Sequence, residues 1–169
     1  MRKLVLLRHA TAQDGGGKPD FERALTARGR AEAQTMGRWL ARQALQPDVV
    51  VSSPAPRALD TAVLACRVLG IADDIQSDPT LYDCAPTTLL RRLARLHGQV
   101  VLVVGHNPSL EQVALHLTGD EDLAVRGLAK AGVVAVDLPD NWDNLGARVA
   151  ATWTVAGPES APTSGDARG

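Results

Sequence analysis

Three short apolar runs in this chain end in reactive groups and lead into helix-start signals. Leu4-Val5-Leu6-Leu7 ends in Arg8-His9, and Val49-Val50-Val51 runs into Ser52-Ser53-Pro54-Ala55-Pro56-Arg57. Val100 to Val104 runs into Gly105-His106-Asn107-Pro108. Runs of this length bounded by turn residues read as buried strands, and strands alternating with helices read as a parallel sheet. Ligands bind open α/β sheets at the carboxyl ends of their strands. Arg8, His9, Arg57 and His106 are therefore expected to converge at one edge. Two guanidinium groups and two imidazoles there make an anion site containing a candidate nucleophile.

The rest of the pattern supports a three-layer α/β/α domain with a mainly parallel sheet and an antiparallel edge. Thr26 reads as the N-cap of a helix with Ala33, Met36, Leu40 and Ala44 on its buried face. Ser53 reads as the next N-cap, with Pro54 at the first helical position and Ala58, Ala62, Ala65 and Leu69 inward. A short strand at Ile75–Ser77 precedes a helix over Pro86–His97 that Gly98 ends. Asn107 is expected to cap a further helix with Leu110, Val113, Ala114 and Leu117 on its face. Gly132–Leu138 and Ala147–Val155 read as two strands of a hairpin. Residues 1–156 form the expected single domain, and Gly157–Gly169 the expected disordered tail, because they lack an apolar pattern.

Bulk properties narrow the function. A length of 169 residues suits one domain with a real core, and aromatics at 3% leave that core to Leu, Val and Ala. A net charge of −1 speaks against a general nucleic-acid binder, which needs a strong basic excess. Cys66 and Cys84 have neither zinc-site nor disulfide spacing. No run is long enough to span a membrane and no signal peptide is read, so the cytoplasm is expected.

Either histidine alone is more consistent with a structural role, and Arg57 alone is as consistent with a solvated one as with an anion site. Arg57 would sit at the end of its helix's first turn, where a cation opposes the helix dipole and a bound anion would reverse that cost. His97 and His116 lie within helical patterns and read as structural. A catalytic zinc needs three protein ligands, so His9, His106 and Asp83 are the rival reading. Two arginines beside a dication oppose it. No cofactor or metal is expected. Gly15-Gly16-Gly17 opens no helix at once and reads as a mobile loop.

Leu6-Leu7-Arg8-His9-Ala10 resembles the R-H-G motif of the histidine phosphatase superfamily, which includes the phosphoglycerate mutases, with Ala in place of Gly. Ser52 to Ala62 resembles its second arginine motif. Val104-Gly105-His106-Asn107-Pro108 resembles its second histidine motif, and its G-H-N-P form is most similar to the SixA-type phosphohistidine phosphatases. Arg23-Ala24-Leu25-Thr26, with Gly29, is similar to a segment after the first loop of that subfamily. The resemblance implies a phosphoglycerate mutase-like fold and a phosphoenzyme on His9. It implies Arg8, Arg57 and His106 around the phosphoryl group, with Arg23 reaching in from the loop.

Larger members carry a carboxylate acid after the third strand, and Asp83 stands at the matching place. Without a strong acid, an imidazole leaving group is favoured over an alkoxide. The expected function is therefore removal of phosphate from phosphohistidine in a signalling or phosphotransfer protein. A small phosphate ester is the alternative substrate. A non-catalytic phosphoprotein-binding module is the alternative class.

Overall fold

Leu4 to Leu7 are wholly buried, and alternate side chains of this run enter opposite cores. That follows from their strand, β1 (Arg2–Arg8), lying inside the sheet with helices on both faces. The computed structural model describes residues 1–143, 145–159 and 162–167. Beside β1 runs β4 (Val100–Gly105) in parallel, then β2 (Val49–Ser52) and β3 (Ile75–Ser77), also parallel. On its other side β5 (Val133–Leu138), β6 (Thr152–Ala156) and β7 (Thr163–Asp166) follow antiparallel.

Two helical layers cover this sheet. Helices α1 (Ala27–Arg42) and α2 (Pro56–Leu69) pack on the face of Val5 and Leu7, through Ala33, Met36, Leu40, Ala58, Ala62 and Ala65. Helices α3 (Pro86–Leu93), α4 (Ser109–Thr118) and α5 (Glu121–Arg126) cover the face of Leu4 and Leu6, through Leu89, Leu93, Leu110, Val113, Leu117 and Leu123. At Gly37 the α1 and α2 backbones approach so closely that a Cβ would lie 2.6 Å from the Ala65 carbonyl oxygen. Gly37→Ala should therefore lower the melting temperature, and an unchanged midpoint would contradict this contact.

Register lines up the strand ends. Arg8 pairs with Gly105, and Ser52 with Val104. The ladder runs one residue further on each strand, His9 N–H donating to Gly105 O and Ser53 N–H to Val104 O, both at 3.0 Å.

Several boundaries differ from expectation. Thr26 caps α1 as read, its Oγ1 accepting from Gly29 N–H at 3.0 Å. That helix ends at Arg42, however, and Ala44 is exposed at φ 54° while Leu45 takes the buried place. Helix α2 starts with Pro56 at its first position, not Pro54. The ladder bond holds Ser53 in extended chain, and Ser53 Oγ accepts the Ala55 N–H at 3.2 Å. Helix α3 closes at Leu93, and tighter i→i+3 bonds carry the chain on through Leu96, leaving His97 exposed beyond the helix.

Asn107 does not cap α4, since Pro108 holds that place and the Asn107 side chain bonds elsewhere. The hairpin partner β6 begins only at Thr152, because Arg148 and Ala150 first pair with the end of α4. Helix α5 escaped the sequence reading, being six residues long with one buried apolar side chain. The expected disordered tail also needs correction, since Thr163–Asp166 form β7. Gly165 crosses the Trp153 indole where a Cβ would come within 2.4 Å of the ring, so a glycine lets this edge strand close.

Candidate active site

The four residues expected to converge line one cavity of about 460 Å³, together with Asp20, Arg23, Tyr82 and Asp83. Arg8 ends β1 and His9 follows it; His106 follows β4; Arg57 is the second residue of α2. The two imidazole rings lie 5.2 Å apart between centroids, tilted by 54°. His9, Arg57 and His106 are each at least nine-tenths buried.

His9 Nδ1 lies 2.8 Å from the Ala10 carbonyl oxygen. A carbonyl only accepts, so Nδ1 carries the proton and Nε2 keeps its lone pair. The Ala10 peptide is itself held. Its N–H donates to Thr61 Oγ1 at 3.0 Å, and that hydroxyl donates to the Arg57 carbonyl at 2.7 Å. Burial, reinforced by the charges of Arg57, Arg8 and Arg23 and opposed by the Ala10 bond, pushes the His9 imidazolium down from 6.5 to about 4.

His9 should then titrate near pH 4 in an ¹⁵N-resolved imidazole titration, and a midpoint at 6.5 would contradict the site. The sign for stability follows. Between about 4 and 6.5 the unfolded chain binds a proton here that the folded chain refuses. Stability contributed at this position therefore rises with pH across that window and is lost as pH falls through it.

His106 is pushed down to about 3, by burial first and then by His9 and Arg57. Its Nε2 lies 2.8 Å from Ser53 Oγ, and its Nδ1 is buried without a hydrogen-bond partner among the described residues. Arg8 Nε and Arg57 Nε are buried and unpartnered in the same way. Buried polar atoms are rarely left so. Asn107, which also lines the cavity, has an unpartnered acceptor, Oδ1, but the three unpartnered donors match an oxyanion with three oxygens to satisfy. His106 Nδ1 donates to such an anion when the Ser53 hydroxyl donates to Nε2.

Asp20 was missed in the sequence and is the most connected residue of the site. Its Oδ2 accepts from Arg57 Nη2 and from Tyr82 Oη, both at 2.9 Å. Its carbonyl accepts from Arg57 Nη1 at 2.7 Å, and its Oδ1 from Arg23 Nη1 at 3.1 Å. The Tyr82 and Arg23 bonds, with a smaller part from Arg57, hold its carboxyl down at about 2. Arg23 lines the cavity beside this pairing. Asp83 lines the cavity too, but stands exposed at φ 52°, with no hydrogen bond among the described residues. Tyr82 lays its ring edge-on to His106, centroids 5.6 Å apart. Outside the site, His116 Nε2 donates to Leu145 O at 3.1 Å, a structural role as read.

This fold and this pair of strand-end histidines belong to a known class. Residues 4–87 match the model of the histidine phosphatase superfamily, branch 1, and the chain belongs to that superfamily. The solved structures it resembles include SixA-type proteins. A protein from Agrobacterium tumefaciens designated a phosphohistidine phosphatase, SixA, is 30% identical with a TM-score of 0.74, over 81% of this chain and 92% of that one. One from Nakamurella multipartitia with the same designation is 28% identical with a TM-score of 0.79, over 94% and 97%. An uncharacterized protein of Mycobacterium leprae is 30% identical over 151 residues, 82% of this chain and 91% of its own. The family supports phosphatase activity.

Proposed function

We propose that the protein hydrolyses phosphohistidine on a protein substrate through a phosphoryl intermediate on His9. Neutral His9 Nε2 attacks phosphorus in line while the bond from phosphorus to the substrate imidazole breaks. The substrate ring carries a solvent-derived proton on its other nitrogen, so the departing nitrogen keeps the electron pair and neutral imidazole leaves. Water then attacks phospho-His9, releasing phosphate and restoring the imidazole. Arg8, Arg57 and His106 bind the equatorial oxygens and stabilise their transition-state charge. Arg23 acts through Asp20 at the edge of the cavity.

The observation that carries the substrate class is the state of the two carboxylates. Asp20 is held ionised well below the usual carboxylate range, and Asp83 stands exposed at the rim with no hydrogen bond among the described residues. Asp20 is therefore not a carboxylic acid kept protonated to serve a poor leaving group, and no hydrogen bond among the described residues aims Asp83 at one. An alkoxide needs that proton. Imidazole, whose conjugate acid has a pKa near 6.5, needs it far less. A pure binding module would have no use for an imidazole whose Nδ1 is locked and whose Nε2 is free.

The test is hydrolysis of a phosphohistidine protein against a panel of phosphate monoesters by one enzyme preparation. Phosphohistidine should be strongly preferred. Asp83→Asn should change either rate by far less than the ~10²-fold typical of a lost general acid. A large, ester-selective loss on Asp83→Asn would instead make the protein a small-molecule phosphomonoesterase. Exhaustive chelation should leave activity intact, because the guanidinium groups of Arg8 and Arg57 supply the positive charge and the neutral His106 ring an N–H donor. A loss restored by zinc or magnesium would overturn that part of the reading.

A further inference from the structure

The peptide of Leu128 is held from both of its polar ends, and Arg8 is tied to it. Its carbonyl oxygen accepts from Arg8 Nη1 at 2.8 Å and from Asn107 Nδ2 at 3.0 Å. Its N–H donates to Glu111 Oε2 at 2.7 Å, and the same oxygen accepts from Asn107 Nδ2 at 3.1 Å. One carboxylate oxygen on α4 therefore fixes the peptide directly and also fixes the amide that braces its carbonyl. Gly127, just before it, sits at φ 71°, where a Cβ would lie 3.1 Å from that oxygen. The chain is thus drawn tightly onto Glu111.

Leu128 O is the one hydrogen-bond partner of the Arg8 side chain among the described residues, and Arg8 Nε is buried with none. The direction of this guanidinium thus depends on where the Leu128 carbonyl points. We propose that Glu111 is a positioning residue, which clamps the Leu128 peptide and the Asn107 amide so that Arg8 is aimed at the transferring phosphoryl group. The inference rests on the reading of Arg8 as a phosphoryl ligand. Charge agrees with geometry here. Burial works against the Arg8 cation, and the Glu111 carboxylate works in its favour. Glu111 touches neither His9 nor the substrate in this account, and it acts only through the peptide and the amide.

A double-mutant cycle tests the proposal, with kcat, KM and inhibition by orthovanadate as readouts and the melting temperature as control. Glu111→Ala should lower kcat by about tenfold or more and weaken vanadate inhibition in step, with KM little changed. Glu111→Gln, which keeps an acceptor in the same place, should restore most of that loss. In an Arg8→Ala background Glu111→Ala should cost almost nothing further. Equal losses in both backgrounds would overturn the positioning role while leaving Arg8 as a phosphoryl ligand. A near-normal Arg8→Ala would instead overturn the reading of the site itself. If Glu111→Ala does not fold, Glu111→Asp runs the same cycle, since it keeps the charge but draws the oxygen away from both donors. Additive losses there would refute the proposal equally.

Discussion

His9→Ala should reduce turnover by about 10⁴-fold or more, on the scale of removing a covalent nucleophile. Among the described residues, no other group lining the cavity is placed to replace it. The His106 Nε2 is committed to Ser53, and Cys84 has its thiol 3.8 Å from Ser109 Oγ and 4.0 Å from Leu81 O. The fold should survive, because His9 belongs to neither apolar core and its ladder bond to Gly105 runs through the backbone. Removing a buried imidazole with a depressed pKa should also weaken the acid sensitivity described above. Steady-state rates and thermal melts on the same preparation check both statements. Activity within tenfold of wild type would sink the mechanism.

The second large effect is expected at Arg57. Its Nε is one of the three unpartnered buried donors on residues lining the cavity, and its two terminal nitrogens hold Asp20. Arg57→Ala should lower kcat by about 10²–10³-fold, the usual cost of one transition-state anion donor. Arg57→Lys should not restore it, because an ammonium cannot span Asp20 and the phosphoryl group together as a planar fork does. The same change removes one of the bonds that keep the Asp20 carboxyl near 2, so Asp20 should titrate higher in the variant. Kinetics and a carboxylate NMR titration separate these results. Full rescue by lysine would mean that Arg57 supplies charge alone.

How far the sequence carries is seen best by following single residues. Arg8, His9 and His106 were legible because strand ends are legible. A short apolar run stops where the sheet stops, and parallel strands share an edge. Arg57 was legible for a related reason, a cation at a helix start, although the helix began two residues later than Pro54 suggests. Two prolines compete for that place, and the ladder bond of Ser53 decides between them.

Asp20 was not legible. It sits in a polar loop after a glycine run, where no periodicity marks a direction, and its importance arises from Arg57 and Tyr82, 37 and 62 positions away. The one local hint was Arg23, three residues on. Leu128 escaped for another reason. Its part is played by a backbone carbonyl, which any residue could supply. The edge strand β7 looked like a tail because its order comes from backbone pairing and from one glycine lying on Trp153, not from apolar side chains.

The central claim is a phosphoryl group carried on one particular nitrogen. Because Nδ1 of His9 is bonded to the Ala10 carbonyl, only Nε2 is free to attack. The most direct measurement is therefore to trap the intermediate from labelled substrate, digest at alkaline pH and identify the isomer by ³¹P NMR and mass spectrometry. The expected product is one acid-labile, base-stable phosphohistidine, on the Nε2 of His9, absent from His9→Ala. A phosphoryl group on Nδ1, on another residue, or on none during turnover would contradict the account.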